Sequence, residues 1–190
     1  EPLMDYKVTV EAMQRLIDAG IEVGLFTNGI LLTESVRQVL LRALYVHVSL
    51  DAFDGTSFAQ IKKKPARLFD VIIENIKALV LLREQNKNKS SLVINIGYIL
   101  HRENIAGIPQ ILQTLKNIGV NSVRFKLNIK EDLERKLTPA EIQKAFCLIE
   151  ESRTRLETNG FKIAMIHQQE DAQKSLKPSF DKCYYCFFAG

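Results

Sequence analysis

Nine consecutive residues, Ile21-Glu22-Val23-Gly24-Leu25-Phe26-Thr27-Asn28-Gly29, pass from a mostly apolar run into a polar turn. An apolar run of this length, bounded in front by Gly20, predicts a buried strand. Asn and Gly tolerate the positive φ that a strand exit often needs, so the strand is expected to end at Thr27. In α/β folds the carboxyl ends of parallel strands form the ligand-binding edge. We therefore expect Thr27 and Asn28 to lie at a site on which the other strands converge.

The composition is that of an ordinary globular domain. With 190 residues, 46% of them hydrophobic and 25% charged, the chain is long enough for one domain with a substantial core. The net charge of +4 is mild and the basic residues are scattered among acids, so nucleic acid is not an expected partner. No apolar run approaches the roughly 20 residues that span a bilayer, and no signal peptide is visible. We expect a cytoplasmic protein that does not bind a membrane.

Helical and strand-like segments alternate along the chain. At three points a glycine that typically ends a helix is followed directly by a strand pattern, namely at Gly20, Gly119 and Gly160. Such alternation implies parallel strands joined by crossovers. About five strands are expected, which is too few to close an eight-stranded barrel. The predicted class is therefore α/β, either an open doubly wound sheet or part of a (β/α) barrel.

Local signals predict several element boundaries. Thr33 is in position to cap a helix, and Thr138-Pro139-Ala140-Glu141 is a capping box with Pro at the first helical position. The segment 52–64 is expected to be an irregular loop with a single helical turn around 57–61.

Polar side chains recur where the predicted strands end. They form the first set of candidate site residues, which are Thr27, Asn28, Ser49, Asp51, Asn95, His101 and Asn104. Any one of them alone is more often a turn former or a helix cap, and Asn104 is well placed to cap the helix after it. Several together at the ends of consecutive parallel strands share one edge of the sheet. A polar residue within a buried strand, such as Asn95, also needs a partner from the protein or from a ligand.

Two cysteines near the end of the sequence, Cys183 and Cys186, form the second set. Their C-x2-C spacing suits zinc or an iron–sulfur cluster. One pair supplies only two of four ligands, so the others would have to come from beyond Gly190 or from another chain. The alternative is a structural or incidental pair. Cys147 lies on a predicted helix, where a buried inert thiol is the simpler interpretation.

Taken in order, several short motifs resemble those of the radical SAM enzymes. They cover residues 1–130 and start at the last two letters of the family's G-G-E-P motif. The motifs are Glu1-Pro2 before a helix, Thr27-Asn28-Gly29 and Ser49-Leu50-Asp51-Ala52 at two strand ends, Phe69-Asp70 with Glu74-Asn75-Ile76, Asn95 before Arg102-Glu103-Asn104-Ile105, and the strand Val120 to Leu127.

The resemblance implies a partial (β/α)6 TIM-type barrel that holds S-adenosylmethionine (SAM) against a 4Fe-4S cluster. In that family the reduced cluster cleaves SAM to a 5′-deoxyadenosyl radical, which abstracts hydrogen from a small-molecule or peptide substrate. The protein positions and shields this chemistry. The resemblance assigns cofactor-binding roles to six residues and places Thr27, with Asn28 beside it, on the substrate side. The six are Glu1, Asn28, Ser49, Asp51, Lys62 and Asn95.

Individual roles follow from the same resemblance. Glu1 would face the amino group of the methionine moiety, and Ser49 would contact the carboxylate or ribose side of SAM. Lys62 stands where peptide-modifying members often have an Arg for the SAM carboxylate. Lys keeps the positive charge of that Arg but lacks its bidentate fork.

The sequence departs from the family pattern because it contains no C-x3-C-x2-C loop, which binds the catalytic cluster in the family. Glu1 is preceded neither by Met nor by the Gly-Gly of the motif. We therefore expect a piece of a longer protein that lacks the first strand or strands of the barrel, and we expect this chain alone not to cleave SAM. Its exposed barrel edge would be open to pairing with another chain.

The expected domain division follows the same resemblance. Residues 1–166 would form the partial barrel, and residues 167–190 would begin an auxiliary-cluster extension of the SPASM or twitch type, with Cys183 and Cys186 as ligands. Two other interpretations stay open. One is an α/β domain that binds a nucleotide-like ligand at its strand ends without redox chemistry, and the other is a structural module clipped by zinc.

Overall fold

The computed structural model describes residues 1–86, 90–128 and 136–166. Helices and strands alternate through these ranges. The strands are β1 (Gly24–Thr27), β2 (Tyr45–Ser49), β3 (Val93–Leu100), β4 (Ser122–Leu127) and β5 (Lys162–Met165). The helices are α1 (Tyr6–Asp18), α2 (Glu34–Leu40), α3 (Gly55–Lys62), α4 (Arg67–Gln85), α5 (Ile108–Ile118) and α6 (Pro139–Leu156), with short 3-10 helices at Pro2–Asp5 and Ile105–Gly107.

The five strands form one parallel sheet in the order β1-β2-β3-β4-β5. The predicted α/β class with about five parallel strands is confirmed. A doubly wound sheet reverses its strand order at a switch point, whereas each strand here lies beside the one before it in the sequence. The sheet is therefore of the partial TIM-type barrel kind, with β1 and β5 at its edges.

Alternation along the strands gives the sheet two different faces, because successive side chains point to opposite sides. One face is apolar and packs into the core with side chains from the helices. Its fully buried strand residues include Val46, Val48, Ile94, Ile96, Val123 and Phe125. The other we call the polar face, defined by His47, Ser49, Asn95, Ser122, Arg124 and Lys126.

The first strand differs from its prediction. It is not a buried strand: β1 lies at an edge of the sheet, and its residues alternate between exposed and buried. Phe26 is 58% exposed and Ile21, ahead of the strand, is 52% exposed. Their apolar character predicted burial, but an edge strand has a neighbour on one side only.

Two of the three helix-ending glycines are confirmed. Gly119 ends α5 at φ 98°, and Gly20 follows the end of α1 at φ 77°. Both are in the left-handed region, where glycine has no steric penalty. The prediction that Gly160 ends a helix is wrong. Helix α6 ends at Leu156, and Gly160 lies in a turn between Thr158 and Phe161 without a positive φ.

The helix starts show one confirmation and one correction. Thr138 and Glu141 form the predicted capping box at the start of α6. The expected irregular loop at 52–64 is instead the eight-residue helix α3. A second capping box starts it, in which the Asp54 carboxylate accepts from the backbone N–H of Ser57 at 2.7 Å and the Ser57 hydroxyl accepts from the N–H of Asp54.

Candidate functional site

The carboxylate of Glu1 lies at the carboxyl end of β1. One of its oxygens accepts from the Thr27 hydroxyl at 2.7 Å, and the other accepts from the backbone N–H of Asn28 at 2.7 Å. Thr27 is the last residue of β1, and Asn28 begins the turn that follows it. Glu1 itself is exposed. The structure thus brings together three of the predicted site residues, Glu1, Thr27 and Asn28.

The turn after β1 is fixed by further hydrogen bonds. The Asn28 side chain accepts from the backbone N–H of Ile30 at 2.9 Å, and the Thr27 hydroxyl accepts from that of Gly29 at 3.1 Å. From α4, the Asn75 amide donates to the carbonyls of Gly29 and Ile30, each at 2.9 Å. Gly29 has φ 78°, which suits glycine. Thr27 is 4% exposed, and its hydroxyl is used within the protein, where it donates to Glu1 and accepts from the N–H of Gly29.

Asp51 lies two residues beyond β2 in the left-handed region, with φ 52°. Its side chain is 3% exposed. One carboxylate oxygen accepts from the backbone N–H of Ile99 at 2.6 Å, and the other accepts from the Lys62 ammonium at the end of α3. The predicted residues Asp51 and Lys62 therefore form an ion pair that joins the ends of β2, β3 and α3.

Asn104 is fully buried and connects the same strand ends. Its amide donates to the carbonyls of Asp51 at 3.0 Å and Ile99 at 2.8 Å, and its oxygen accepts from the backbone N–H of His101 at 2.9 Å. It occupies the cap position of the following 3-10 helix, but its side chain makes no capping bond there. The expected helix-capping role is thus wrong, because the side chain is used across the sheet edge.

Ser49 and Asn95 both lie on the polar face but at different heights. Ser49 is the last residue of β2 and is half-buried at the carboxyl edge. Asn95 is the third residue of β3, so its predicted position within a buried strand is confirmed, and it does not lie at the carboxyl end with the other candidate residues. Asn95 is 6% exposed and has a protein partner, since its side-chain oxygen accepts from the Ser122 hydroxyl at 2.6 Å. That bond supplies the partner that a buried amide needs.

The sequence prediction missed His47, Arg124 and Lys126. The registers Ser49↔Gly97↔Arg124 and Phe26↔His47↔Asn95 place them on the polar face beside the predicted residues. The signal was present in β4, where buried Val123, Phe125 and Leu127 alternate with the two exposed cations. Period-2 alternation could have identified these cations as polar-face residues.

His47 lies in an electropositive part of that face. Burial lowers the pKa of His47, the charges of Arg124 and Lys126 lower it further, and Asp51 opposes this shift. The imidazole is consequently neutral near pH 7. Its ring lies over Gly97, where a Cβ would overlap Nε2, and 4.8 Å from the ring centroid of Phe26.

The cysteine prediction is not addressed by these contacts, because Cys183 and Cys186 lie outside the described residues. Within the described ranges, no group of three or more His, Cys, Asp or Glu side chains is arranged to hold a metal ion. Cys147 is exposed on α6, so its predicted burial is wrong. In the same ranges no helix is long and apolar enough to cross a membrane.

Sequential parallel strands with polar groups at their carboxyl edge define a partial TIM-type barrel. The fold is similar to that of SuiB from Streptococcus suis bound to S-adenosylmethionine, with a TM-score of 0.64 and 13% identity over 83% of this chain and 34% of SuiB. SuiB bound to its precursor peptide SuiA gives a TM-score of 0.66 and 13% identity over 95% of this chain and 40% of SuiB.

A domain of pyruvate-formate lyase-activating enzyme from Bacteroides vulgatus ATCC 8482 is also similar, with a TM-score of 0.62 and 15% identity. That match covers 86% of this chain and 93% of the domain. The chain thus spans well under half of the SuiB chain but nearly all of this domain. No protein-family model matches the sequence, and no curated protein matches it either. At these identities the likeness establishes the fold.

Proposed function

We propose that this chain is the core of a radical SAM enzyme whose intact form reductively cleaves SAM at a 4Fe-4S cluster and uses the resulting 5′-deoxyadenosyl radical to modify its substrate. The observation that carries the proposal is the fold shared with SAM-bound SuiB over 83% of the chain. It is supported by the gathering of Glu1, Asn28, Ser49, Asp51 and Lys62 at the carboxyl edge of the sheet.

The residues at this edge fit the amino-acid part of SAM. The Glu1 carboxylate is exposed. One oxygen accepts from Thr27 and from the backbone N–H of Leu3, whereas the other accepts from Asn28 and keeps lone-pair capacity for an ammonium group. The Ser49 hydroxyl has no hydrogen-bond partner among the described residues and is available to a ligand. Thr27 would then act by orienting Glu1 on the substrate side of the site.

Other predicted residues support the site through contacts they already make. Lys62 is one-third exposed and paired with Asp51, so it can present part of its charge to a carboxylate while neutralising Asp51. Asn95 is bonded to Ser122 and keeps its amide N–H groups for a hydroxyl-bearing ligand such as a ribose.

The chain does not fit the catalytic cluster, because its three cysteines do not include a C-x3-C-x2-C set. We propose that a segment outside this sequence supplies that set, and that the chain alone does not cleave SAM. The strand or strands that this chain lacks would pair with β1, which is four residues long and has an exposed side chain at Phe26. We further propose that residues 167–190 begin an auxiliary-cluster extension, with Cys183 and Cys186 as ligands.

The proposed substrate is a peptide. The support is the fold shared with SuiB in its complex with the precursor peptide SuiA, which covers 95% of this chain. A small-molecule substrate would occupy the same polar face.

The test is anaerobic reconstitution of the chain extended by its upstream coding sequence. We expect an upstream C-x3-C-x2-C, a broad iron–sulfur absorption band at about 400 nm that its mutation abolishes, and 5′-deoxyadenosine after reduction with SAM present. Absence of that motif would overturn the proposal. Nucleotide binding without iron would favour the non-redox domain, and zinc bound at Cys183 and Cys186 without iron would favour the structural module.

A matched pair of variants tests the site itself. Ser49→Ala should weaken SAM binding about tenfold, since it removes a hydrogen-bonding hydroxyl at the ligand edge. Ser91→Ala, exposed before the start of β3 at the opposite edge, should leave SAM binding unchanged. Equal affinities of the two variants would contradict the placement of SAM against Ser49.

A further inference from the structure

His47, Arg124 and Lys126 form one cluster on the polar face, beside Ser49 at the end of β2. Arg124 and Lys126 are two apart on β4, so their Cα atoms are about 7 Å apart and both side chains leave the same face. Arg124 is in register with Gly97, which has no side chain. The imidazole of His47 covers that glycine from the neighbouring strand. The three side chains therefore surround one patch of the sheet.

Among the described residues, the two cations of this cluster have no counter-ion. Across the ranges that the structure describes, neither Arg124 nor Lys126 makes a hydrogen bond or an ion pair, and both are exposed. The Asp51 carboxylate interacts electrostatically with His47, but it is already paired with Lys62 and hydrogen-bonded to the N–H of Ile99. The patch consequently carries two uncompensated positive charges.

His47 supplies a second, independent observation. It is 8% exposed, yet its ring nitrogens have no hydrogen-bond partner among the described residues. Buried polar groups nearly always have a partner, and an orphaned one indicates a missing ligand or water. The ring lies between Gly97 and the Phe26 ring, and its Nε2 lies over Gly97, which is the register partner of Arg124.

We propose that this patch binds an anionic group of the substrate, a carboxylate or a phosphate, between Arg124 and Lys126, with the His47 imidazole donating a hydrogen bond from the neighbouring strand. The proposal rests on the proposed function in placing the substrate on the polar face next to the SAM that Ser49 and Asn95 would contact. Arg offers a planar fork that matches either oxyanion, and Lys adds a compact charge. For a peptide substrate, the group would be an Asp or Glu side chain, a terminal carboxylate or a phosphorylated residue.

The protonation state of His47 is consistent with this arrangement. A neutral imidazole avoids a third positive charge in the patch and still keeps one N–H donor. An anion bound beside it would partly cancel the effect of the two cations. The pKa of His47 should therefore rise when the patch is filled.

The experiment is an NMR titration of the histidine Cε1–H signals of the 190-residue chain with succinate, with inorganic phosphate and with neutral succinamide, at constant ionic strength. The patch predicts a saturable shift of the His47 signal, and a rise of its pKa, with at least one of the two anions. Binding of succinate would indicate a carboxylate on the substrate, and binding of inorganic phosphate would indicate a phosphate. No saturable shift with either anion, or an equal shift with succinamide, would overturn the proposal.

Four variants identify the binding groups. Arg124→Gln and Lys126→Gln should each weaken anion binding about tenfold, because each removes a charge-assisted hydrogen bond. The matched controls Arg155→Gln and Lys144→Gln, exposed on α6, should bind as the wild type does. Equal weakening by the controls would show a nonspecific charge effect and overturn the site. Because no SAM or iron is present, this result is separate from the outcome of the reconstitution.

Discussion

The side-chain amide of Asn104 donates to the backbone carbonyl of Asp51 across 53 residues of sequence, at 3.0 Å. The same amide donates to the carbonyl of Ile99, whose own N–H is bonded to the Asp51 carboxylate. The ends of β2 and β3 are therefore connected by both the backbone and the side chain of Asp51. Since Asp51 also binds Lys62, this connection determines where the carboxyl edge of the sheet presents its charges.

Asn104→Ala should destabilise the fold by about 2–3 kcal/mol, because it removes the side-chain partner of a buried backbone group of Asp51 and of half-buried backbone groups of Ile99 and His101. Urea denaturation followed by circular dichroism measures the change. Asn117→Ala, on the exposed side of α5, is the matched control and should cost less than about 0.5 kcal/mol. Equal losses would contradict the role assigned to Asn104.

Lys62→Met should cost about 3 kcal/mol, the lower end of the range for breaking a buried ion pair, since Lys62 is itself 31% exposed. It leaves the Asp51 carboxylate buried with only the Ile99 N–H as a partner. Adding Asp51→Asn should restore part of the loss, because Asn is neutral, tolerates positive φ and still accepts from Ile99. Lys64→Met, exposed after α3, should be near neutral in the same denaturation assay.

Glu141→Gln should destabilise α6 by about 1 kcal/mol at neutral pH, the usual size of a capping contribution. A hydrogen bond from Arg102, with the backbone N–H of Thr138, lowers the pKa of Glu141 to about 2. Because the folded-state pKa is depressed, this contribution is present above the ordinary value of 4.5 and is lost as the pH falls toward 2. The difference between wild type and Glu141→Gln should therefore shrink in acid.

Glu151→Gln is the matched control, on the exposed face of the same helix. Its effect should be small and should not change between pH 7 and pH 3. A pH-independent difference for Glu141→Gln would contradict the role of its ionised form.

The features of the fold that depend on residues close together in the sequence could be predicted. Alternating helix and strand periodicity, with Gly20 and Gly119 at helix ends, was enough to predict a parallel sheet. The polar residues Thr27 and Asp51 were found because strand ends share an edge. Helix α3 was missed because its start depends on the Asp54–Ser57 capping box, which a search for apolar periodicity passes over.

The unpredictable part depends on register between distant strands. His47 and Arg124 lie near each other only because β2 pairs with β3, and β3 with β4, through Gly97. No local pattern states that pairing. In the same way, the hydrogen bond from Asn104 to Asp51 joins the ends of two strands that are 53 residues apart in the sequence. The preference of Asn for helix N-termini predicted a helix cap instead.

Gly97→Ala tests the arrangement that the polar face depends on. A Cβ at position 97 would overlap Nε2 of His47, so the ring must move or the strands must shift. We expect a loss of about 1–3 kcal/mol, typical of overpacking in a well-packed region. The His47 Cε1–H signal should also change, because its ring leaves the position between Gly97 and Phe26.

Combining Gly97→Ala with His47→Ala should remove the overlap. In the His47→Ala background, Gly97→Ala should therefore lower the free energy of unfolding much less than it does in the wild type, which is a favourable coupling between the two positions. Gly160→Ala is the control, because a Cβ there meets nothing within 4 Å and the backbone φ is not positive. That variant should be neutral or more stable by up to about 1 kcal/mol, through reduced freedom of the unfolded chain. If Gly97→Ala were as harmless as Gly160→Ala, His47 would not lie over Gly97 in solution.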